Sequence, residues 1–467
     1  MQKKLLTAAV ASVLAAPCIA LAQTAASVEV YGTVYPTFGH AKYGDGFTGR
    51  DIQFNTGLPS TTAQAIPVPS MSKFDVQAPS SNFGVRGRES LGAGLTAWFQ
   101  IEQNAPLERE DTQSVTVSSR NSAAGLQGGW GNVFVGQWTT PWADLDSLWA
   151  IGQVSVFGPV TSLIGRREST GVSPNPAAAL GKACTTSVIA PGGTASPSTN
   201  TAAQCDAVVG AGGVGHPFWR RASDMIRYTS PAFSGLTFDA MYQVPELKTV
   251  SISSGAAGGT TYTAEPSMMS ASLKWSGMGG RARAGAAIDR HKDFTSIGGT
   301  DKGYALKGGF NFGVVDIGAA YENLTYQCQG FGSTAATGLV AAGATNGADL
   351  PAFCGTSGDV KSKIWALAAS VPVGIGAIKA FYSKAAAMTG AISIGSTGAK
   401  EWGLGYDHRF SKRTSVGVEY TKIDNERNAQ FTWTGMPPNQ TANGAGSNTP
   451  VFGSSVTWVF VGMVHRF

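Results

Sequence analysis

Apolar and polar residues alternate in segments of about ten residues along most of the chain, the period-two signature of strands with one greasy face. Val28, Val30, Gly32 and Val34 stand against Glu29, Tyr31, Thr33 and Tyr35 in a first strand predicted over 27–38. Leu95, Ala97, Phe99 and Ile101 alternate with Thr96, Trp98, Gln100 and Glu102. At the C-terminus, Thr457, Val459, Val461, Met463, His465 and Phe467 alternate with Trp458, Phe460, Gly462, Val464 and Arg466. Between these ends the pattern predicts seven strand pairs joined by tight turns: 81–89 with 95–102, 119–128 with 132–138, and 219–229 with 236–244. The rest are 267–275 with 281–290, 302–312 with 314–326, 361–371 with 375–386, and 401–410 with 414–422. Longer polar, glycine-rich segments separate the pairs, and the stretch up to about Pro79 is too Pro/Gly-spotted for regular structure.

Tight turn, long loop, tight turn, long loop is the asymmetry of a transmembrane β-barrel with short periplasmic turns and long external loops. One opening strand, seven pairs and a closing strand make about sixteen, the even number such barrels use. Both termini then fall on the short-turn side. A strand ending on a bare aromatic suits a wall whose last ring anchors at a membrane interface. A secreted β-sandwich or adhesin built from repeated hairpins is the alternative. Single strands do not separate the two: Ala282, Ala284, Ala286 and Ile288 lie opposite Arg281, Arg283 and Asp289, and either fold would put those charges in water.

Composition supports the barrel. Charged residues are only 13% of the 467, aromatics are 10% and glycines number 61, as suits a wall between lipid and water. Lys3 and Lys4 precede an apolar run to Leu21, and Ala20-Leu21-Ala22 offers a cleavage site before Gln23. Residues 1–22 are therefore predicted to be an export leader and residues 23–467 a single barrel domain. After the leader there is no run of about eighteen apolar residues, so no helix is predicted to span a membrane. The 34 Lys+Arg nearly balance the 29 Asp+Glu, which argues against a nucleic-acid partner.

Cys184, Cys205, Cys328 and Cys354 remain beyond the leader. In an oxidising compartment the local pairs Cys184–Cys205 and Cys328–Cys354 are favoured among the three connectivities. Neither pair has CxxC spacing or a histidine cluster, so no metal is expected. The five histidines, His40, His216, His291, His408 and His465, lie beside no nucleophile motif. GxSxG, P-loop and Rossmann fingerprints are absent, so neither an enzyme nor a cofactor is expected.

Several stretches resemble known proteins. The ending, with Gly462, then His465 in a usually aromatic position, then Phe467, resembles the C-terminal signal of Gram-negative outer-membrane proteins, which implies engagement by the barrel-assembly machinery. The stretches 81–87, 91–102, 226–236, 405–415 and 461–467 resemble trimeric general-diffusion porins of the Gram-negative outer membrane, specifically their beta-proteobacterial branch. That resemblance runs from Val28 to Phe467. It implies a sixteen-stranded barrel in lipid and lipopolysaccharide, a homotrimer, a third loop folded into the lumen, and passage of small polar solutes and ions. Asn82 replaces an arginine frequent in that family, and the third loop carries an extra cysteine-bearing stretch over about 171–215.

A pore sorts solutes by the size and charge of its narrowest ring. By parity with Asn82 and Gly84, Arg86 and Arg88 point inward. Arg120 falls at the family's wall-arginine position, and Arg221 and Arg227 share the face opposite Ile226 and Tyr228. Asp144, Asp146 and Glu168 on the third loop are the candidate opposing acids. A modest anion preference follows, and a solute-specific, saturable channel of the same fold remains the other reading. Small outward residues such as Gly32 and Ala284 suit close packing of protomers.

Overall fold

The computed structural model describes residues 27–47, 67–78, 81–105, 118–151, 162–164, 218–244, 267–292, 299–328, 358–390, 395–433 and 451–467, with a few isolated positions between them. They form one closed antiparallel barrel of sixteen strands. Strand β1 comprises Ser27–Val34 and Thr37–Tyr43, and β2 comprises Met71–Gln77 and Asn82–Gly92. β3 is Leu95–Asn104, β4 Ser122–Gly128, β5 Gly131–Thr139, β6 Arg221–Thr229, β7 Leu236–Gln243 and β8 Ser267–Gly277. β9 is Ala282–Lys292, β10 Thr300–Asn311, β11 Asp316–Cys328 and β12 Gly358–Val373. β13 is Gly376–Ala385, β14 Ala399–Arg409, β15 Thr414–Asn425 and β16 Ser455–Arg466. Each strand pairs with its sequence neighbours, and β16 closes on β1.

Two boundaries differ from the sequence expectation. Pro36 cannot donate to a ladder, and the first strand breaks there. Its first half pairs with Asn82–Gly92, and its second half continues to Tyr43 opposite Met71–Gln77. The segment expected to be irregular up to Pro79 therefore contains two stretches of wall, the end of β1 to Tyr43 and Met71–Gln77. The alternation of the latter (Phe74 and Val76 outward, Asp75 and Gln77 inward) is short enough to be lost beside the prolines. The β12–β13 turn is also tighter than expected: Pro372 and Val373 already pair with Ala377 and Gly376, which leaves Gly374 and Ile375 at the tip.

The outer face is apolar, with Val28, Phe74, Ile288 and Leu367 exposed on the isolated barrel. At the seam, Phe467 exchanges both backbone hydrogen bonds with Gly32 at 3.2 Å. A Cβ on Gly32 would lie 2.5 Å from the Phe467 ring. The space above Gly32, expected to admit a second protomer, is thus filled by the chain's own terminal ring. Gly462 faces Thr37 and Tyr35 in the same seam, and His465 Nδ1 lies 2.9 Å from Thr414 Oγ1. The leader, Glu168, Cys184, Cys205 and Cys354 lie outside the described residues, and Cys328 ends β11.

Candidate functional site

The chain leaves β5 and turns into the lumen through a cap written in its sequence. Thr140 Oγ1 accepts the Ala143 N–H at 3.2 Å, and Pro141 opens a one-turn helix, α1 (Pro141–Asp144). Both residue types suit a helix start. A 3-10 turn, Leu145–Leu148, follows. Trp142, Leu145, Leu148 and Trp149 are buried against the inner faces of β9–β11, where small residues make a shelf. A Cβ on Gly285 would come within 2.6 Å of Leu148, and one on Gly303 within 2.8 Å of Phe218. Ala287, Ala305 and Ala320 complete the shelf.

Polar contacts fix the loop on that shelf. Lys307 Nζ on β10 lies 2.6 Å from Asp146 and 2.8 Å from Glu322 on β11. Trp142 and Trp149 donate their indole N–H groups to Glu322 and Asp146 at 3.0 and 3.1 Å, and Trp219 donates to Asp146. Burial pushes the Asp146 carboxyl above its ordinary range, the Lys307 charge opposing it and Glu322 adding to it. Asp146 is therefore a buried anchor and exposes little charge to a passage.

Asp144 is different. It accepts hydrogen bonds from Arg227 at 2.6 Å and from Thr139 Oγ1 at 2.8 Å while staying 25% exposed. Arg227 also reaches Asp239 at 2.7 Å, and Lys274 holds the other side of Asp239 at 2.9 Å. Arg221 Nε donates to Asn121 at 2.8 Å, and Asn121 in turn accepts from the Thr139 N–H. Arg120 donates to Glu102 at 2.5 Å and to Asn104 at 3.3 Å. Arg120, Arg221 and Arg227 thus converge at the root of the loop beside Asp144.

The parity expected to join Arg221 with Arg227 does not hold. A bulge between Ala222 and Met225 adds a residue, with Asp224 at φ 49°, so Ala222 shares the face of Met225 and Arg227. Arg221 joins the cluster from the strand end instead. Arg86 and Arg88 point inward as expected but sit nearer the short-turn end. Arg86 pairs with Glu29 at 2.8 Å and lies over the Tyr31 ring, while Arg88 lines a polar recess with Ser27, Ser90 and Thr96. Asn82 lies between Thr33 and Asn104 on the same inner wall.

A second loop enters the lumen, unforeseen from the sequence. Ala429, Phe431 and Trp433, after β15, are buried against Trp458 and the inner walls of β14–β16. Glu401 on β14 accepts Trp433 Nε1 at 2.5 Å, Ser383 Oγ at 2.8 Å and, from the third loop, the Leu163 N–H at 2.8 Å. One carboxylate thereby ties both loops to the wall. The available signal was parity: Trp458 and Phe460 sit on the lumen face of β16, where large apolar rings need a cover. The loops shield Lys307, Glu322 and Glu401, whereas Arg86, Glu29, Arg120, Asp144 and Lys274 keep some exposure. Any passage therefore runs along the β1–β8 side.

Comparison with known proteins agrees with this architecture. A family model described as Gram-negative porin matches residues 7–428. The anion-selective porin from Comamonas acidovorans is 19% identical, with a TM-score of 0.57 over 95% of this chain and 100% of its own. Outer-membrane expressed OmpT of Vibrio cholerae is 13% identical, with a TM-score of 0.52 over 96% and 99%. The outer membrane channel DcaP of Acinetobacter baumannii is 12% identical, with a TM-score of 0.50 over 95% and 97%. No curated protein sequence matches the chain.

Proposed function

The chain belongs to the Gram-negative porin family, an outer-membrane β-barrel pore, and we propose that it passes small hydrophilic solutes and ions with a modest preference for anions. The observation that carries the preference is the balance of charge on the open side of the lumen. Glu29, Glu102 and Asp144 each have an arginine, Arg86, Arg120 and Arg227, and Asp239 has Lys274 besides. Arg88 and Arg221 have no acid partner among the described residues and supply the excess. Charges at a constriction see a low-dielectric wall, so they outweigh the net charge of the whole chain. The anion selectivity of the similarly folded Comamonas porin supports the same sign. Liposome swelling tests the pore: entry of neutral sugars should rise linearly with concentration and fall with solute size, and no entry above empty liposomes refutes it.

A solute-specific channel is the second reading, favoured by the two loops that Glu401 holds in the lumen. Saturating flux for one solute class would select it.

The apolar outward face of β1–β5 and the family resemblance support a homotrimer, testable as an oligomer band in unboiled electrophoresis. The ending at Gly462, His465 and Phe467 fits recognition by the assembly machinery, and residues 1–22 act as the export leader. Cys184–Cys205 and Cys328–Cys354 form loop disulfides worth about 3 kcal/mol each in the chain-entropy account. Mass mapping of unreduced peptides tests them, and free thiols at all four positions end the idea.

A further inference from the structure

The inner wall of β1–β4 carries a recess at the short-turn end, with a volume of about 380 Å³. Arg88, Ser27, Ser90, Thr96 and Gln127 line it. Ser27 lies directly opposite Arg88, Ser90 opposite Thr96, and Thr96 opposite Gln127, so all five share the lumen face. Among the described residues Arg88 makes no ion pair, and the neighbouring Glu29 is held by Arg86 at 2.8 Å. Among the same residues no side-chain hydrogen bond engages Ser27, Ser90, Thr96 or Gln127. One cation and four neutral groups that both donate and accept thus converge on one space.

An aromatic step borders the recess on the loop side. Trp98 lies directly opposite Arg88, two residues beyond Thr96 on the same face, and is half-buried. Its Nε1 donates to Asn132 Oδ1 at 2.8 Å, and its ring centroid lies 5.3 Å from Phe134 and 5.9 Å from Trp138. Gly125 stands between Trp98 and Phe134 in the ladder, where a Cβ would lie 2.5 Å from Phe134 Cβ. The missing side chain lets the two rings meet across β4. Rows two residues apart along a strand are separated by roughly 7 Å, so a six-membered ring seated on Trp98 carries its substituents into the recess. An indole held in a water-filled lumen gains when an apolar surface covers it.

We propose that the recess and Trp98 form a subsite for a sugar acid, a hydroxylated six-membered ring bearing one carboxylate. The indole takes the C–H face of the ring, whose slightly positive hydrogens suit the negative face of a π system. Arg88 takes the carboxylate through a charge-assisted, bidentate contact. Ser27, Ser90, Thr96 and Gln127 take the hydroxyls. An aromatic acid without hydroxyls would leave those four groups unpaired, and sites built to pair polar groups reject such analogues. The volume lies at the small end of ligand pockets, about 300–1,000 Å³, which suits one ring and not a chain. The inference deepens the pore reading, on which it rests for access of the solute to the lumen.

Ligand-observed NMR titration of the purified full-length protein tests this, with galacturonate as the probe and galactose, benzoate and acetate as comparisons. Galacturonate should bind saturably and about tenfold or more tightly than each of the other three, because only it makes both the ring and the charge-assisted contacts. Arg88→Gln should remove that advantage over galactose and leave galactose binding as in the parent. Trp98→Ala should weaken both sugars, and Trp98→Phe should retain part of the affinity. Thr96→Val, which deletes a hydroxyl at nearly constant size, should weaken both severalfold. Lys412→Gln, in the turn between β14 and β15 and outside the recess, should match the parent. Unchanged galacturonate affinity in Arg88→Gln and Trp98→Ala overturns the proposal. Benzoate binding as tight as that of galacturonate assigns the site to any ring acid, and displacement by equimolar acetate assigns it to a bare anion; either overturns it too. Single-channel recording of the same preparations separates the two readings. Conductance steps without saturable galacturonate binding sink the subsite alone, and binding without steps sinks the pore alone.

Discussion

Lys307 Nζ lies 2.6 Å from the Asp146 carboxylate, joining the third loop to the barrel wall at a point water does not reach. Truncating one partner of a buried pair leaves the other charge uncompensated, at a cost of about 3–5 kcal/mol. Lys307→Met strands both Asp146 and Glu322. It should loosen the loop without opening the barrel, giving noisier single-channel currents and new protease cuts after Trp138, with strand circular dichroism unchanged. A variant with parental noise and protease resistance would show that the apolar shelf alone holds the loop.

Glu401 binds two loops at once, so its effect should appear in pore size. Glu401→Ala removes the acceptor for Trp433, Ser383 and Leu163, each lost hydrogen bond to a charged group being worth about 1.5–3 kcal/mol. Single-channel conductance should rise, and larger sugars should enter liposomes. Unchanged conductance would place both loops outside the conducting path.

Gly32 makes room for the terminal ring. Gly32→Val drives a side chain into Phe467 and the Asn82 carbonyl, which a built Cβ already approaches to 2.5 and 2.7 Å. Overpacking of this kind costs about 1–3 kcal/mol, and the seam should melt at a lower temperature in heat-modifiability gels. Phe467→Ala in the Gly32→Val background should restore part of the loss, and the absence of any rescue would break the proposed contact.

The barrel was legible because one face in lipid and one in water impose strict alternation, and strands such as Leu95–Asn104 and Ala282–Lys292 keep it throughout. The Met71–Gln77 segment was hidden by flanking prolines and by its brevity. The site was harder to read. Parity places Arg86, Arg88 and Arg227 inward, but the bulge at Ser223–Asp224 leaves no mark on alternation, so for Arg221 the parity argument fails and its side chain reaches the loop root from the strand end. Asp144 and Asp146 look equivalent two residues apart, yet only contact with Lys307 and Glu322 makes one a buried anchor and leaves the other in the passage. Lys307 and Glu401 were invisible as a set because their partners come from loops far away in sequence.

Charge at the loop root should set the ion preference. Arg120→Glu places a second acid beside Glu102 and should move selectivity toward cations. Asn82→Arg adds a cation across the ladder from Asn104 and should move it toward anions. A unit charge about 4 Å from an ion is worth about 1 kcal/mol in water and several times that near a protein wall, which means changes of severalfold in permeability ratio. Screening over about 8 Å at physiological salt should shrink both effects. No movement in either variant would place the selective ring elsewhere.

The most direct test is the zero-current potential across a planar bilayer holding the purified protein between concentrated and dilute potassium chloride. A water-filled passage whose open side carries Arg88 and Arg221, neither with an acid partner among the described residues, predicts stepwise conductance, with the dilute side settling at a negative potential as chloride crosses faster. A positive dilute side, or no conductance steps at all, would contradict the account.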